Sequence, residues 1–138
     1  MKDNRVRTMR AAIDRIIPED DFPSASQADV DRFILALLAG DRKGDAEMFE
    51  AGLGALDAEA QMDGEKSFAD ASAAVQDQIL ERIQQGRTRG EWKTSPAQFF
   101  EMLLNLTAEG YFSDPRNGGN RNEVSWAMVG YDPGANRP

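Results

Sequence analysis

The 138-residue sequence predicts an all-α fold: a single domain of about five helices with a long, ordered, non-helical C-terminal extension. Three observations carry that prediction. Apolar residues recur at helical spacing in successive stretches as far as residue 110. Serine, proline and glycine stand between those stretches where helices start and stop. Beyond residue 110 the pattern gives way to a segment dense in glycine, asparagine and aromatic residues. Residues 1–110 are therefore read as a helical body, and 111–138 as a docking segment of the same domain.

Val6, Met9, Ile13, Ile16 and Ile17 place a first amphipathic helix over residues 6–17. Pro18 stops it, because the residue before a proline is driven out of the α region. The acids Glu19, Asp20, Asp21, Asp29 and Asp31 follow closely. A calcium loop would need a glycine at its sharp turn, which this stretch lacks, so they read as acids at a helix entrance. Ser24 and Gln27 have the spacing of a capping box, and Val30, Phe33, Ile34, Leu37 and Leu38 form the stripe of a second helix ending at Gly40.

Residues 44–61 carry Met48, Phe49, Leu53 and Leu56 on one face of a third helix, interrupted by Gly52 and Gly54. A glycine inside a helix costs roughly 1 kcal/mol against alanine, so the pair predicts close helix packing within the domain. Ser67 is the expected cap of a fourth helix with Phe68, Val75, Ile79, Leu80 and Ile83 as its core face, ending at Gly86. Trp92, in the connector that follows, is expected to close the core as a lid. Ser95-Pro96-Ala97-Gln98 then combines an N-cap serine, proline at the first helical position and a capping-box glutamine. The fifth helix is apolar nearly all round, which predicts a central position and an end at Gly110.

Composition excludes several chemistries. There is no cysteine and no histidine, which removes disulfides, thiolate nucleophiles, Ser-His-acid triads and Cys/His zinc sites. The net charge is −8, and its surplus sits in the middle: residues 41–85 hold 11 acids against 4 bases. An acidic chain without a basic stripe is a poor ligand for nucleic acid or anionic lipid. No apolar run approaches the ~20 residues that span a bilayer, and Met1–Arg7 is not followed by the apolar stretch of a secretory signal. No nucleotide fingerprint is present, because Gly52-Leu53-Gly54 lacks a preceding strand and Gly118-Gly119 opens no βα unit. Carboxylates such as Glu101 and Glu109 have no second catalytic partner at a useful spacing.

The C-terminal segment is the candidate site. Glycine and asparagine supply unusual backbone conformations, and a long segment rich in aromatics is a specified shape rather than a linker. Its candidate partner-binding residues are Tyr111, Asp114, Arg116, Asn117, Gly118, Gly119, Asn120, Arg121, Trp126 and Tyr131. Arginine and aromatics are the residues enriched at interface hot spots. For Tyr111 and Trp126 the alternative is that they pin the segment over the fifth helix.

Two blocks of this chain resemble the gluconate 2-dehydrogenase subunit 3 family. The first is Thr8-Met-Arg-Ala-Ala-Ile-Asp-Arg-Ile-Ile-Pro-Glu-Asp-Asp-Phe-Pro23. The second runs through Gly110-Tyr-Phe-Ser-Asp-Pro-Arg-Asn-Gly-Gly-Asn120, Trp126-Ala-Met-Val-Gly130 and Tyr131-Asp-Pro-Gly134. The resemblance implies a non-catalytic small subunit of a membrane-linked sugar or sugar-acid dehydrogenase. It implies a glucose–methanol–choline type flavoprotein as partner, with FAD held there and no cofactor in this chain, and in some complexes a multihaem cytochrome c. The implied role is maturation, export and stability of the flavoprotein. A periplasmic complex is implied too, although the twin-arginine leader of many members has no counterpart in this sequence. Two other readings stand beside it: a carbohydrate-active enzyme using acids such as Asp114, and a helical adaptor whose acidic middle binds a basic protein.

Overall fold

The computed structural model describes residues 1–113. Among them the chain forms five α-helices and no strand: α1 (Asp3–Ile16), α2 (Val30–Ala39), α3 (Ala46–Met62), α4 (Ala73–Gln84) and α5 (Pro96–Phe112). A 3₁₀ turn at Lys43–Asp45 leads into α3. The all-α body is as expected; the non-helical extension lies outside the described residues, apart from its first three positions.

α1 starts three residues earlier than its apolar periodicity, at Asp3, where an acid in the first turn suits the helix dipole. At its far end Ile17 still donates to the Ile13 carbonyl before Pro18 turns the chain away. The capping box at Ser24 forms as expected: the Ser24 amide donates to Gln27 Oε1 at 2.8 Å, and the Gln27 amide to Ser24 Oγ at 3.3 Å. It does not open α2, however. The turn it nucleates is closed at Asp29, which adopts a left-handed φ of 61°. The Val30 amide bonds the Ala25 carbonyl while that of Asp29 bonds Ser26, with Val30 and Ala25 both buried. That is a Schellman ending, and α2 begins immediately after it. Gly64 and Gly86, at φ of 87° and 73°, close α3 and α4 with the same pair of bonds.

α4 also starts later than expected. Ser67 and Asp70 bond each other reciprocally around a single turn, which buries Phe68 completely. The helix itself is capped by Ser72, whose hydroxyl accepts from the Val75 amide. The start of α5 is as anticipated, with Ser95 accepting from Gln98 and Pro96 at the first position.

α5 touches each of the other four helices, as does α1. Gly52 of α3 lies so close to α5 that a Cβ there would sit 2.1 Å from Phe99 Cδ1. The expected close packing of the glycine pair is therefore real, with Gly54 beneath the Arg5 guanidinium. Gly110 does not end α5. The helix runs on to Phe112 because Gly110 faces α2, where a Cβ would meet Phe33 Cδ1 at 2.7 Å and Val30 Cγ1 at 2.9 Å. Nor is α5 enclosed all round: Leu104 and Phe112 remain 41% and 47% exposed on its outer face. Trp92 acts as the expected lid, its ring 5.7 Å from that of Phe99.

Buried acids tie the helices together. Asp57 of α3 accepts from Arg5 Nη1 at 3.0 Å, the Thr8 hydroxyl at 2.9 Å and the Phe68 amide at 3.0 Å. Glu59, wholly buried, accepts from the amides of Arg89 and Gly90 at 3.0 and 2.7 Å, with Arg82 beside it. Asp14 holds Ser26 through both amide and hydroxyl. No helix among the described residues is long and apolar enough to cross a membrane.

Candidate partner-docking surface

Of the ten candidate residues, only Tyr111 falls within the described part. Asp114, Arg116, Asn117, Gly118, Gly119, Asn120, Arg121, Trp126 and Tyr131 lie outside the described residues. Tyr111, read from the sequence either as a partner contact or as a pin over the fifth helix, occupies a structural position. It belongs to the last turn of α5, its side chain is fully buried, and its hydroxyl donates to the Pro23 carbonyl at 2.8 Å. Burial raises the phenol above its ordinary pKa, and the nearby Asp20 carboxylate adds to the rise. Tyr111 is a strut between α5 and the α1–α2 connector. Its bond joins the two sequence blocks, 88 positions apart, that carried the family resemblance.

The next residue is the exposed one. Phe112 lies edge-on to Tyr111 with ring centroids 5.5 Å apart, and nearly half its surface is open. With Leu104 and Ala108 it makes an apolar strip along the outer side of α5. Around the helix end lies a groove of about 400 Å³ lined by Phe33, Ala36, Leu37, Gly40, Asp41, Glu109 and Ser113. Both features sit at the point where the chain leaves α5. A second cleft, of about 450 Å³, lies on α3 between Glu47, Glu50 and the Glu91–Thr94 connector, with Trp92 in its wall.

The acidic middle of the chain is divided between the interior and the surface: Asp57 and Glu59 are buried, whereas Asp41, Glu47, Asp70, Asp77 and Glu81 are exposed. Of its 11 acids, six are bonded within the body: Asp45 to Arg42, Asp57 to Arg5, Glu59 and Asp63 to Arg82, Asp70 to Arg7, and Asp77 to Arg15. The Arg15 guanidinium lowers the Asp77 carboxyl, and the Arg7 guanidinium followed by the Ser67 hydroxyl lowers Asp70. Asp31, at the start of α2, is instead pushed up by burial, against the opposing charge of Arg10 at 3.6 Å. Among the described residues no group of three or more acids is arranged to hold a metal ion. The carboxylates that do converge, Glu59 and Asp63, are occupied by Arg82, Arg89 and backbone amides. That arrangement clamps a loop rather than activating a substrate.

Periodicity overlooked Asp57 and Glu59, although a signal existed for the first. Asp57, four positions after Leu53, adjoins the α3 arc of Leu53, Leu56 and Ala60, and an acid beside the apolar arc of a helix announces an internal partner; Glu59, two positions on, lies on the opposite flank of that arc and carries no such signal.

Searches of curated proteins and of solved structures give no match to this chain. The family model described as Gluconate 2-dehydrogenase subunit 3 matches residues 3–134, from the first residue of α1 to the final Pro-Gly pair. It therefore spans the helical body, the Tyr111–Pro23 junction between the two blocks and the segment beyond α5, and the chain belongs to the gluconate 2-dehydrogenase subunit 3 family.

Proposed function

We propose that this chain is a non-catalytic accessory subunit that binds and stabilises the flavoprotein of a sugar or sugar-acid dehydrogenase. The observation that carries the reading is the family match over residues 3–134. In this reading the partner is a glucose–methanol–choline type flavoprotein that holds FAD, and this chain holds no cofactor. A multihaem cytochrome c completes the complex where electrons pass on to a membrane carrier. The role in maturation and export belongs to the same proposal.

The physical chemistry of the body supports it. The buried acids are engaged in holding helices and a loop, and the uncovered features at the end of α5 are apolar. Exposed Phe112 and Leu104 at the outer side of α5 suit protein contact.

Co-expression with the flavoprotein encoded beside it tests the proposal. A stoichiometric complex is expected, with flavin absorbance and dye reduction only when the flavoprotein is present. Sugar-dependent dye reduction by the purified chain alone would refute the accessory role. Replacing Arg116 and Arg121 together with alanine is expected to weaken the complex. If it survives that change but is lost on reversing Glu47, Glu50 and Glu91 around the α3 cleft, the contact is an acidic adaptor surface instead.

A further inference from the structure

Met62, the last residue of α3, is the most exposed large apolar side chain among the described residues, 52% open. It also covers a buried contact. A Cβ on Gly90 would stand 2.8 Å from Met62 Cε, 3.5 Å from its Sδ and 3.2 Å from Glu59 Oε2, so the thioether and the carboxylate fill the space that a side chain at 90 would need. Glu59 is wholly buried and holds the connector between α4 and α5 through the amides of Arg89 and Gly90, at 3.0 and 2.7 Å. Two residues on, the same connector carries Trp92, whose ring lies against Phe99. We propose that Met62 is a peroxide-sensitive modification site, and that its oxidation to the sulfoxide loosens the connector and lifts the Trp92 lid. This goes beyond the accessory reading and does not depend on it.

The chemistry needs an accessible thioether. One oxygen atom passes from hydrogen peroxide to Sδ as the O–O bond breaks; the sulfur is oxidised by two electrons, and the products are methionine sulfoxide and water. Met9 is fully buried, and Met48 and Met102 are half-buried. Met1 is comparably open, at 44%, but it is Met62 that lies against Gly90. The product is a polar group that accepts hydrogen bonds and has no proton to donate. Held against Gly90, its oxygen meets Glu59 Oε2, one acceptor facing another. Swung into solvent, it takes the methyl group off Gly90. Either way water reaches the Glu59 carboxylate, and bonds that were strong in a dry setting then compete with hydration.

The experiment treats the full chain, carrying Trp126→Phe, with dilute hydrogen peroxide beside a second chain in which Met62→Leu is added. Leucine keeps an apolar cover and cannot react. Peptide mass spectrometry is expected to show Met62 oxidised about fivefold faster than Met9 or Met102. Equal rates overturn the proposal. In the oxidised chain, tryptic cleavage after Arg89 is expected to accelerate about threefold, and Trp92 fluorescence to shift to longer wavelength. If either change is missing once Met62 is oxidised, the proposal is overturned. An equal change in the treated Met62→Leu chain places the effect at another residue and overturns it too. Methionine sulfoxide reductase with a thiol reductant is expected to restore the slow cleavage. Failure to restore it means irreversible damage elsewhere, which also overturns the proposal.

Discussion

Gly52→Ala gives the sharpest test of the packing. Without a side chain at position 52, α3 approaches α5 until a Cβ would stand 2.1 Å from Cδ1, 2.3 Å from Cε1 and 2.6 Å from Cγ of Phe99. Ordinary carbon contacts lie at about 3.5–4.0 Å, so more than an ångström must be found. The Phe99 ring has nowhere to go: it is fully buried, with Phe49 at 5.6 Å and Trp92 at 5.7 Å. Forcing a methyl into such a core costs typically 1–3 kcal/mol and sometimes more. Better helix propensity returns up to about 1 kcal/mol. A net loss of about 1–2 kcal/mol is expected. Gly54→Ala, two residues along the same helix, should behave oppositely. Its Cβ would meet only the Arg5 guanidinium, 3.0 Å away at Nη2, which must yield a few tenths of an ångström against its bond to Asp57; the propensity gain offsets that cost and leaves the variant neutral or slightly stabilised. Urea unfolding followed by circular dichroism at 222 nm reads both. Adding Phe99→Leu should make the Gly52→Ala change less costly than the sum of the two single changes. If Gly52→Ala matches the parent, or both glycine variants shift in the same direction, the account of the α3–α5 contact is wrong.

Other consequences are as open to measurement. Glu59→Gln leaves Arg82 beside a neutral amide and removes one of two acceptors from the Arg89 and Gly90 amides; a loss of about 2–4 kcal/mol is expected. In a Trp126→Phe background the fluorescence of Trp92 should shift to longer wavelength, and an unchanged spectrum would argue against the clamp. Tyr111→Phe deletes the bond to Pro23 and should cost about 1 kcal/mol, with the helix content unchanged in circular dichroism. The phenol's pKa is raised in the folded state, so the stability it contributes is complete below the unfolded value and is lost as pH rises through the folded one. Ultraviolet titration of Tyr131→Phe should accordingly show Tyr111 ionising above the usual 10. Asp31 follows the same sign at lower pH: its raised carboxyl withdraws stability as pH climbs through and above the ordinary carboxylate range. Asp31→Asn should therefore improve relative to the parent between pH 3 and pH 7, and a pH-independent difference would refute the assignment.

Much of the body was legible because local chemistry and tertiary contacts agree. Ser95 and Pro96 start α5 as their side chains require, and Gly86 stops α4 where left-handed backbone is needed. The errors arose where one residue type serves two purposes. Gly110 carries the usual mark of a helix end, yet it is glycine because Phe33 and Val30 leave no room for a Cβ. Ser67 has a good cap spacing, but its reciprocal bond with Asp70 closes a single turn, and Ser72 opens α4. Tyr111 falls in the docking segment by sequence because the glycine before it carries the mark of a helix end, whereas α5 includes it. Asp29, at a left-handed position usually given to glycine, hid the break before α2. The internal use of the acids was invisible for a different reason. A charge count cannot show that Asp57 faces Thr8 and Arg5, since that pairing depends on how α1 crosses α3.

The bond from Tyr111 to Pro23 also bears on the order in which the protein forms. Closing a contact across 88 positions requires a very large loop, whose entropy must be met by other long-range contacts made at the same time. α2 depends on α5 in the same way, because Val30 and Phe33 pack on Gly110. During synthesis the N-terminal helices therefore emerge before the surface they need. Until the last turn of α5 has been made, Val30 and Phe33 lack their neighbour, and the connector around Pro23 lacks its anchor. The body is consequently expected to complete its fold late, as a cooperative event once the last turn of α5 is free to pack, and to be most exposed to proteolysis and aggregation just before that point.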